Sequence, residues 1–274
     1  MKQLFFSILV LSLVFGCSSE TTVSELGFLV EGAFSPSQRI IADQAISVFE
    51  NNSTTINYSY AEDLGDGRGI TAGRAGFTSA NGDMLEVIER YTVIDSDNSL
   101  ADYVTELTSL AATESDSTAG LSGLETKWAI NAKLQSFKNV QDAVVDDYYY
   151  DPAVGYANEI GASYPFTLLN LYDASIQHGD GSDLDSLSAM IETTTENLGG
   201  TPKSGIDEAT WVREFLRVRR AVLLNPDNAD TQTEWSESVG RVDALITVYQ
   251  AGNLFLAPPV IINPWGDRFS LPSS

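Results

Sequence analysis

Cysteine and histidine are almost missing, with one of each, Cys17 and His178, in 274 residues. A lone cysteine rules out an intrachain disulfide, so packing must hold the fold together. The two together are too few for a zinc site of ordinary composition. Basic residues are scarce as well: 15 Lys plus Arg face 38 Asp plus Glu, a formal charge of −23. Such a surface repels nucleic acid and other polyanions and attracts polycations. The plainer reading of the acidity is solubility alone. There is no Gly-rich phosphate loop ending in Lys-Ser/Thr and no dinucleotide fingerprint, so neither a cofactor nor a metal is expected. The acid clusters "DLGDGRG" and "DGSDLDS" lack the alternate spacing of an EF-hand. No G-x-S-x-G turn accompanies His178, which reads as a structural residue near a helix end.

One apolar run stands out. Residues 4–16, "LFFSILVLSLVFG", follow Lys2 and are short for a comfortable membrane span. They read as a secretory leader over residues 1–16, with Cys17 directly after it. That arrangement resembles a bacterial lipoprotein signal, so Cys17 is expected to be acylated and the protein held at the outer membrane, facing periplasm or surface. Cleavage elsewhere would instead release it to the medium. Losing Lys2 with the leader takes the charge from −23 to −24. Residues 17–34 read as a tether with some apolar positions that dock on the body.

The remainder, 35–274, has an apolar fraction of 43% with 10% aromatics over the whole chain, enough for a sizeable core. Ser35, Pro36 and Gln38 form a helix-start signature. Ile41, Ala45 and Val48 follow at helical spacing, and Asn51 and Asn52 end the helix just after Glu50. From Ile56 the period falls to two through Tyr58, Tyr60 and Glu62, predicting a strand. Turns and short strands follow in "AEDLGDGRGITAGRAGF", residues 61–77, and a helix starts near residues 81–83. Helices are expected over 99–113, 124–146, 152–177, 183–198, 207–224 and 232–251, and the proline-rich 257–274 should wrap the surface. The pattern is α+β and mostly α, with one small strand region and two lobes around a cleft, an architecture that suits a polymer-binding hydrolase.

With metals and nucleotides set aside, carboxylates carry the candidate chemistry. Glycoside hydrolysis uses two, one protonated to assist the leaving oxygen and one ionised to activate water or attack. Glu50 falls at a helix C-terminus, where the field of the last carbonyls disfavours ionisation. Asp66, between Gly65 and Gly67, is free to project from a tight turn. Taken as pattern alone, Glu50 is equally well one surface glutamate among many. In "WVREFLRVRRAVLL" Arg219 flanks an apolar stripe, and Arg241 shares a face with Leu245 and Val248. Each therefore needs an acidic partner, in a structural ion pair or in a network that fixes the charge of a catalytic aspartate.

The block "YAEDLGDGRGITAGRAGFTSANGDMLEVIERY", preceded by "FENNS", closely resembles the signature region of glycoside hydrolase family 46, the chitosanases. "YYDPAV", "LYDASIQHG", "FLRVRRAVLL" and "RVDALITVYQAGNLFLAPP" extend the resemblance in colinear order over roughly residues 35–260. It implies a lysozyme-like fold and an endo-acting, inverting hydrolase of chitosan, with Glu50 as general acid, Asp66 as general base and Thr71 holding the attacking water. It further implies substrate contacts from Glu62, Arg68 and Asp83, and a buried network of Asp173, Arg219 and Arg241 behind the base. The chain departs from many relatives at Arg74, Thr78, Ala80 and Asn81. A monomer is expected, with chitosan and chito-oligosaccharides as partners and the membrane reached only through the lipid. Two alternatives remain: a lysozyme-like hydrolase of another amino-sugar polymer, and a non-catalytic sugar-binding lipoprotein.

Overall fold

The computed structural model describes residues 27–29 and 31–273. The leader, Cys17 and most of the tether lie outside the described residues.

Helix α1 (Pro36–Asn51) starts as the sequence predicts. The Ser35 hydroxyl accepts from the Gln38 N–H, and the Gln38 side chain accepts from the Ser35 N–H at 2.9 Å. Its apolar residues Ile41, Ala42, Ala45, Ile46, Val48 and Phe49 are buried, and Asn52 closes it in the left-handed conformation (φ 50°). Glu50 is therefore where the helix leaves the core.

The small sheet is antiparallel in the order β1 (Ala61–Asp63), β2 (Ile70–Ala72), β3 (Phe77–Thr78), with Glu62 opposite Thr71 and Thr71 opposite Thr78. The strand expected from Ile56 begins only at Ala61. Residues 56–60 keep the alternation of half-buried and exposed positions, but only the Tyr60 carbonyl meets the neighbouring strand's end, accepting from the Gly73 N–H at 2.8 Å, while the Tyr58 carbonyl is taken by the side chains of Trp128 and Gln141. Four helices pack around this sheet and one another: α2 (Asp83–Ile94), α3 (Val104–Thr113), α4 (Leu124–Asn131) and α5 (Gln135–Val145).

The second lobe gathers α1 with α6 (Asp151–Ile160), α7 (Pro165–His178), α8 (Leu187–Leu198), α9 (Glu208–Leu224), α10 (Gln232–Glu237) and α11 (Gly240–Gln250). At its centre α7 is buried on all sides, which is unusual for a helix that carries an aspartate, Asp173. One π-helical turn, Asp146–Tyr150, joins α5 of the first lobe to α6 of the second.

Three of the expected long helices are broken. Residues 124–146 divide at 132–134, and residues 232–251 divide at 238–239. Residues 152–177 divide where Gly161 turns left-handed (φ 76°) and Pro165 forces the preceding Tyr164 into an extended conformation. Periodicity carries across the breaks at 132–134 and 161–164 because both flanking helices face the core, whereas α10 touches it only through the half-buried Trp235. The C-terminal segment does more than wrap the surface. β4 (Val260–Ile262) and β5 (Phe269–Leu271) pair as a hairpin whose Val260, Ile262 and Leu271 join the core. The described end of the tether docks as expected, with the Phe28 ring between Tyr164 and Phe255.

Candidate active site in the cleft

Helix α1 delivers Glu50 to a cavity of 320 Å³. The wall on the Glu50 side includes Ile46, Asn51 and Ile176, and the facing wall comes from Tyr60, Leu64, Arg68, Thr71 and the turn Gly73–Gly76. Thr71 is buried, and its hydroxyl has no hydrogen-bond partner among the described residues although it belongs to the cavity lining. A buried hydroxyl without a partner is costly unless water or ligand completes it, which suits a group that positions a water molecule.

Asp66 sits on the β1–β2 turn between Gly65 (φ 65°) and Gly67 (φ 85°). A Cβ added at either glycine would meet nothing within 4 Å, so these glycines serve the backbone conformation rather than close packing. Arg68 grips the carboxylate: its Nε and Nη2 donate to Asp66 Oδ2 at 3.0 and 2.6 Å, and its backbone N–H donates to Oδ1 at 3.1 Å. These bonds hold the Asp66 carboxyl below the usual carboxylate range. Three of the roughly four acceptor positions of a carboxylate are then filled, leaving one on Oδ1 for a water. Asp66 reaches the cavity rim through Arg68 and does not line the cavity itself.

The buried network is present, but it stands behind a different residue from the one expected. Arg219 Nη1 donates to Asp173 Oδ2 at 2.6 Å, and Arg241 Nη2 donates to Asp173 Oδ1 at 2.6 Å. The same Arg241 nitrogen donates to Glu50 Oε1 at 2.8 Å. The chain of charges thus ends on Glu50, and Asp66 takes its cation from Arg68. The reason is topological: α1 and α7 pack together in one lobe, whereas Asp66 rides on the sheet of the other. Burial alone would raise the Asp173 carboxyl, yet Arg219 and Arg241 outweigh it and hold Asp173 below its ordinary range. Among the described residues, Oε2 of Glu50 makes no hydrogen bond that would compete with a substrate oxygen.

Residues 44–260 match the family described as Glycosyl hydrolase family 46. The chain belongs to that family.

A chitosanase of Bacillus subtilis is 42% identical to this family 46 chain over 97% of it and 95% of the relative. A chitosanase of Streptomyces sp. strain N174 is 36% identical over 88% and 84%. Among solved structures, a Gynuella sunshinyii family 46 chitosanase in complex with chitotetraose superposes with TM-score 0.81 at 52% identity, covering 88% of this chain and all of that one. A chitosanase mutant from Bacillus subtilis MY002, complexed with 6 GlcN, gives 0.80 at 43% identity, covering 87% and all of it. The lysozyme-like, mostly helical α+β fold expected from the sequence holds.

The remaining sequence candidates, Glu62, Asp83 and His178, lie outside the lining of that cavity. Glu62 is exposed on β1 and accepts from the Tyr60 hydroxyl at 3.2 Å. Asp83 opens α2 and accepts from the N–H groups of Thr78 at 2.6 Å and Met84 at 2.7 Å. Burial pushes its carboxyl up to about 6 against the pull of those bonds. His178 is buried as a structural residue: the Arg219 Nε donates to its Nε2 at 3.3 Å and Trp235 packs edge-on at 4.8 Å. Among the described residues, no group of three or more His, Cys, Asp or Glu side chains is placed to hold a metal ion.

Several cleft residues of this family 46 chain escape a reading of carboxylates and arginines. Tyr149, on the π turn, is raised by burial and then by the charges of both Asp83 and Glu50, so one phenol lies within electrostatic reach of both acids. The charges of Glu234 on α10 and of Asp83 add to that of Asp66 in raising the Arg68 guanidinium. The tyrosine run 148–150 was visible in the sequence, but a continuous helix across it hides which ring turns inward.

Proposed function

We propose that this chain is a chitosanase that cuts β-1,4 glucosamine linkages within chitosan, with inversion at the anomeric carbon. Glu50 acts as general acid from its free Oε2, protonating the glycosidic oxygen. Asp66, kept ionised by Arg68, takes a proton from a water that Thr71 helps to hold. The inverting geometry spaces its carboxyls roughly 6.5–9.5 Å apart to admit that water, and a cavity lined by the acid on α1, with the base held at its rim by Arg68, is of the right kind. The observation that carries the reading is that Glu50 and Thr71 line one cavity whose rim is the arginine gripping Asp66. Chitosanases among the relatives supply the substrate class. Incubation with chitosan, chitin and peptidoglycan side by side tests it. Short oligosaccharides are expected from chitosan, with far less from the others; preferential release from peptidoglycan would overturn the assignment.

The charge of −23 acquires a use here, since chitosan is cationic in mild acid. Attraction at long range is screened within ~10 Å at 0.1 M salt and ~3 Å at 1 M. Polymer affinity is therefore expected to fall as salt rises, measured by equilibrium binding of the Glu50→Gln variant. Binding indifferent to salt contradicts the electrostatic account.

The reading assigns Asp83 the pairing with a glucosamine ammonium, and its elevated carboxyl makes that role testable. In the folded protein it holds its proton up to about 6, against 3.8 for a free aspartate side chain. Between those values the native state binds a proton that the unfolded chain releases, so this contribution to stability is present below about 4 and lost as pH rises through 6. Asn at this position keeps the oxygen that accepts from Thr78 and Met84 without a charge to bury. Asp83→Asn is accordingly expected to gain roughly 1–3 kcal/mol at pH 7, gain little at pH 4, and lose substrate affinity. Urea melts at the two pH values, with KM on chito-oligosaccharides, provide the check. A variant less stable at pH 7 than at pH 4, relative to wild type, contradicts this reading of Asp83.

A further inference from the structure

A second charged network crosses the molecule at the back of the cleft, separate from the one behind Glu50. Arg74 stands in the turn between β2 and β3, and its side chain is 5% exposed. Its Nη2 donates to Asp43 Oδ1 on α1 at 3.0 Å, while its Nη1 donates to Asp142 on α5. Its backbone N–H donates to Gln141 Oε1 at 3.1 Å. Asp142 and Gln141 belong to the lobe that carries the sheet, and Asp43 belongs to the other. One guanidinium therefore spans the two lobes, with a fork geometry that holds two carboxylates at once.

What this span fixes is visible in the spacing along α1. Asp43 and Glu50 are seven residues apart, two turns of helix, so they share a face about 10 Å apart. On the other side Arg74 lies three residues after Thr71, on the turn that itself lines the cavity. The strand carrying Thr71 continues from the turn that carries Asp66. A pin from Arg74 to Asp43 thus sets the sheet bearing the base and its water at a defined height on the helix bearing the acid. In a protein interior a guanidinium is expensive to bury without partners. Here it is buried at the cavity floor with both arms used.

We propose that Arg74 is a positioning residue: it clamps the sheet that bears Asp66 and Thr71 to the helix that bears Glu50, and so sets the spacing of the reacting groups across the cleft. The proposal rests on the cleft reading above. It extends it by naming a residue that touches neither carboxylate yet governs their separation. A displacement of about 1 Å in such a site costs about 10²-fold in rate.

The two arms can be cut separately. Asp43→Asn weakens the link between lobes, with Arg39 still held by Asp146 at 2.5 Å. Asp142→Asn weakens only the link inside the sheet lobe. Both leave Arg74 with one charged partner, and Asp43→Asn also weakens the Arg39 Nε bond to Asp43 at 3.0 Å, so it is expected to lower the melting temperature somewhat more. Asp43→Asn and Arg74→Met are expected to lower kcat on chitosan about 10- to 100-fold with KM changed less than about threefold. Asp142→Asn is expected to stay within about threefold of wild type in both. Arg74→Lys, whose ammonium cannot hold both carboxylates, is expected to fall between.

A readout independent of turnover accompanies these. With Cys17 replaced by Ser the chain has no other cysteine, so dyes placed at Asp97→Cys and Thr193→Cys, both exposed and in different lobes, report the separation between lobes. That separation is expected to shift or broaden in Arg74→Met and Asp43→Asn and to hold in Asp142→Asn. Wild-type kcat and an unchanged separation in folded Arg74→Met overturn the clamp. So does an Asp142→Asn variant that loses as much kcat as Asp43→Asn at the same melting temperature. Full turnover in Glu50→Gln would sink the acid–base reading instead, and would leave the distance measurement standing.

Discussion

Turnover on chitosan is expected to fall by roughly 10²–10⁴-fold in Glu50→Gln and again in Asp66→Asn, the range for loss of a positioned acid or base. In both the circular dichroism should be unchanged. The two substitutions are conservative in shape and differ in what they remove. Gln at position 50 still offers an amide oxygen to Arg241 Nη2, so the buried network keeps its outer contact, but it has no proton to give the leaving oxygen. Asn at position 66 keeps one oxygen for Arg68 and loses the charge that takes a proton from water. Steady-state kinetics on soluble chitosan checks both. A variant with near-normal turnover shows that the residue in question is not the acid or the base. KM should change little, because neither residue is needed to grip the polymer at distance.

Arg219→Ala is expected to cost about 3–5 kcal/mol of stability, the range for breaking a buried ion pair by removing one partner. For a domain of this size each kcal/mol moves the melting temperature by roughly 2–4 °C, so a loss on the order of 10 °C should appear in a thermal melt. The reason is local. Arg219 and Asp173 are both 0% exposed, and removing the guanidinium also strips partners from Gln177 and from His178. Asp173 would keep Arg241 alone. Because Arg241 also supports Glu50, a shift of that arginine toward Asp173 should lower kcat in the surviving folded fraction. A melt unchanged from wild type would contradict the buried network. By contrast, Arg217→Ala, removing an exposed arginine that pairs with Glu214 on the outer face of α9, should change stability by less than about 1 kcal/mol.

Much of this site was legible because its chemistry is written in residue types that have few other reasons to sit where they do. Glu50 falls on the last turn of a helix whose start is marked by Ser35, Pro36 and Gln38. Asp66 falls between glycines that both take positive φ. Arg219 and Arg241 fall on apolar helix faces, where a cation without a partner is costly. Each follows from local pattern. The pairing did not follow: that Arg241 meets Glu50, while Asp66 is served by Arg68 two residues away, depends on which lobe each element joins.

The helix breaks at 132–134, 161–164 and 238–239 were hidden for a related reason. At the first two, the helices on either side keep burying apolar residues in the core, so the apolar period runs through the break; at the third, only Trp235 of α10 packs against it. Arg74 illustrates a third limit. An arginine in a turn next to glycines reads as solvated, and only the approach of Asp43 from α1 and Asp142 from α5 buries it.

The central claim is a single displacement in which water, activated by Asp66, attacks the anomeric carbon as Glu50 protonates the departing oxygen from the opposite side. Proton NMR of the anomeric signals in the first minutes of chitosan hydrolysis, before mutarotation, tests it most directly. The account predicts that the newly formed reducing ends appear as the α anomer from a β linkage. Initial appearance of the β anomer would contradict it, because retention needs a covalent intermediate on an enzyme carboxylate.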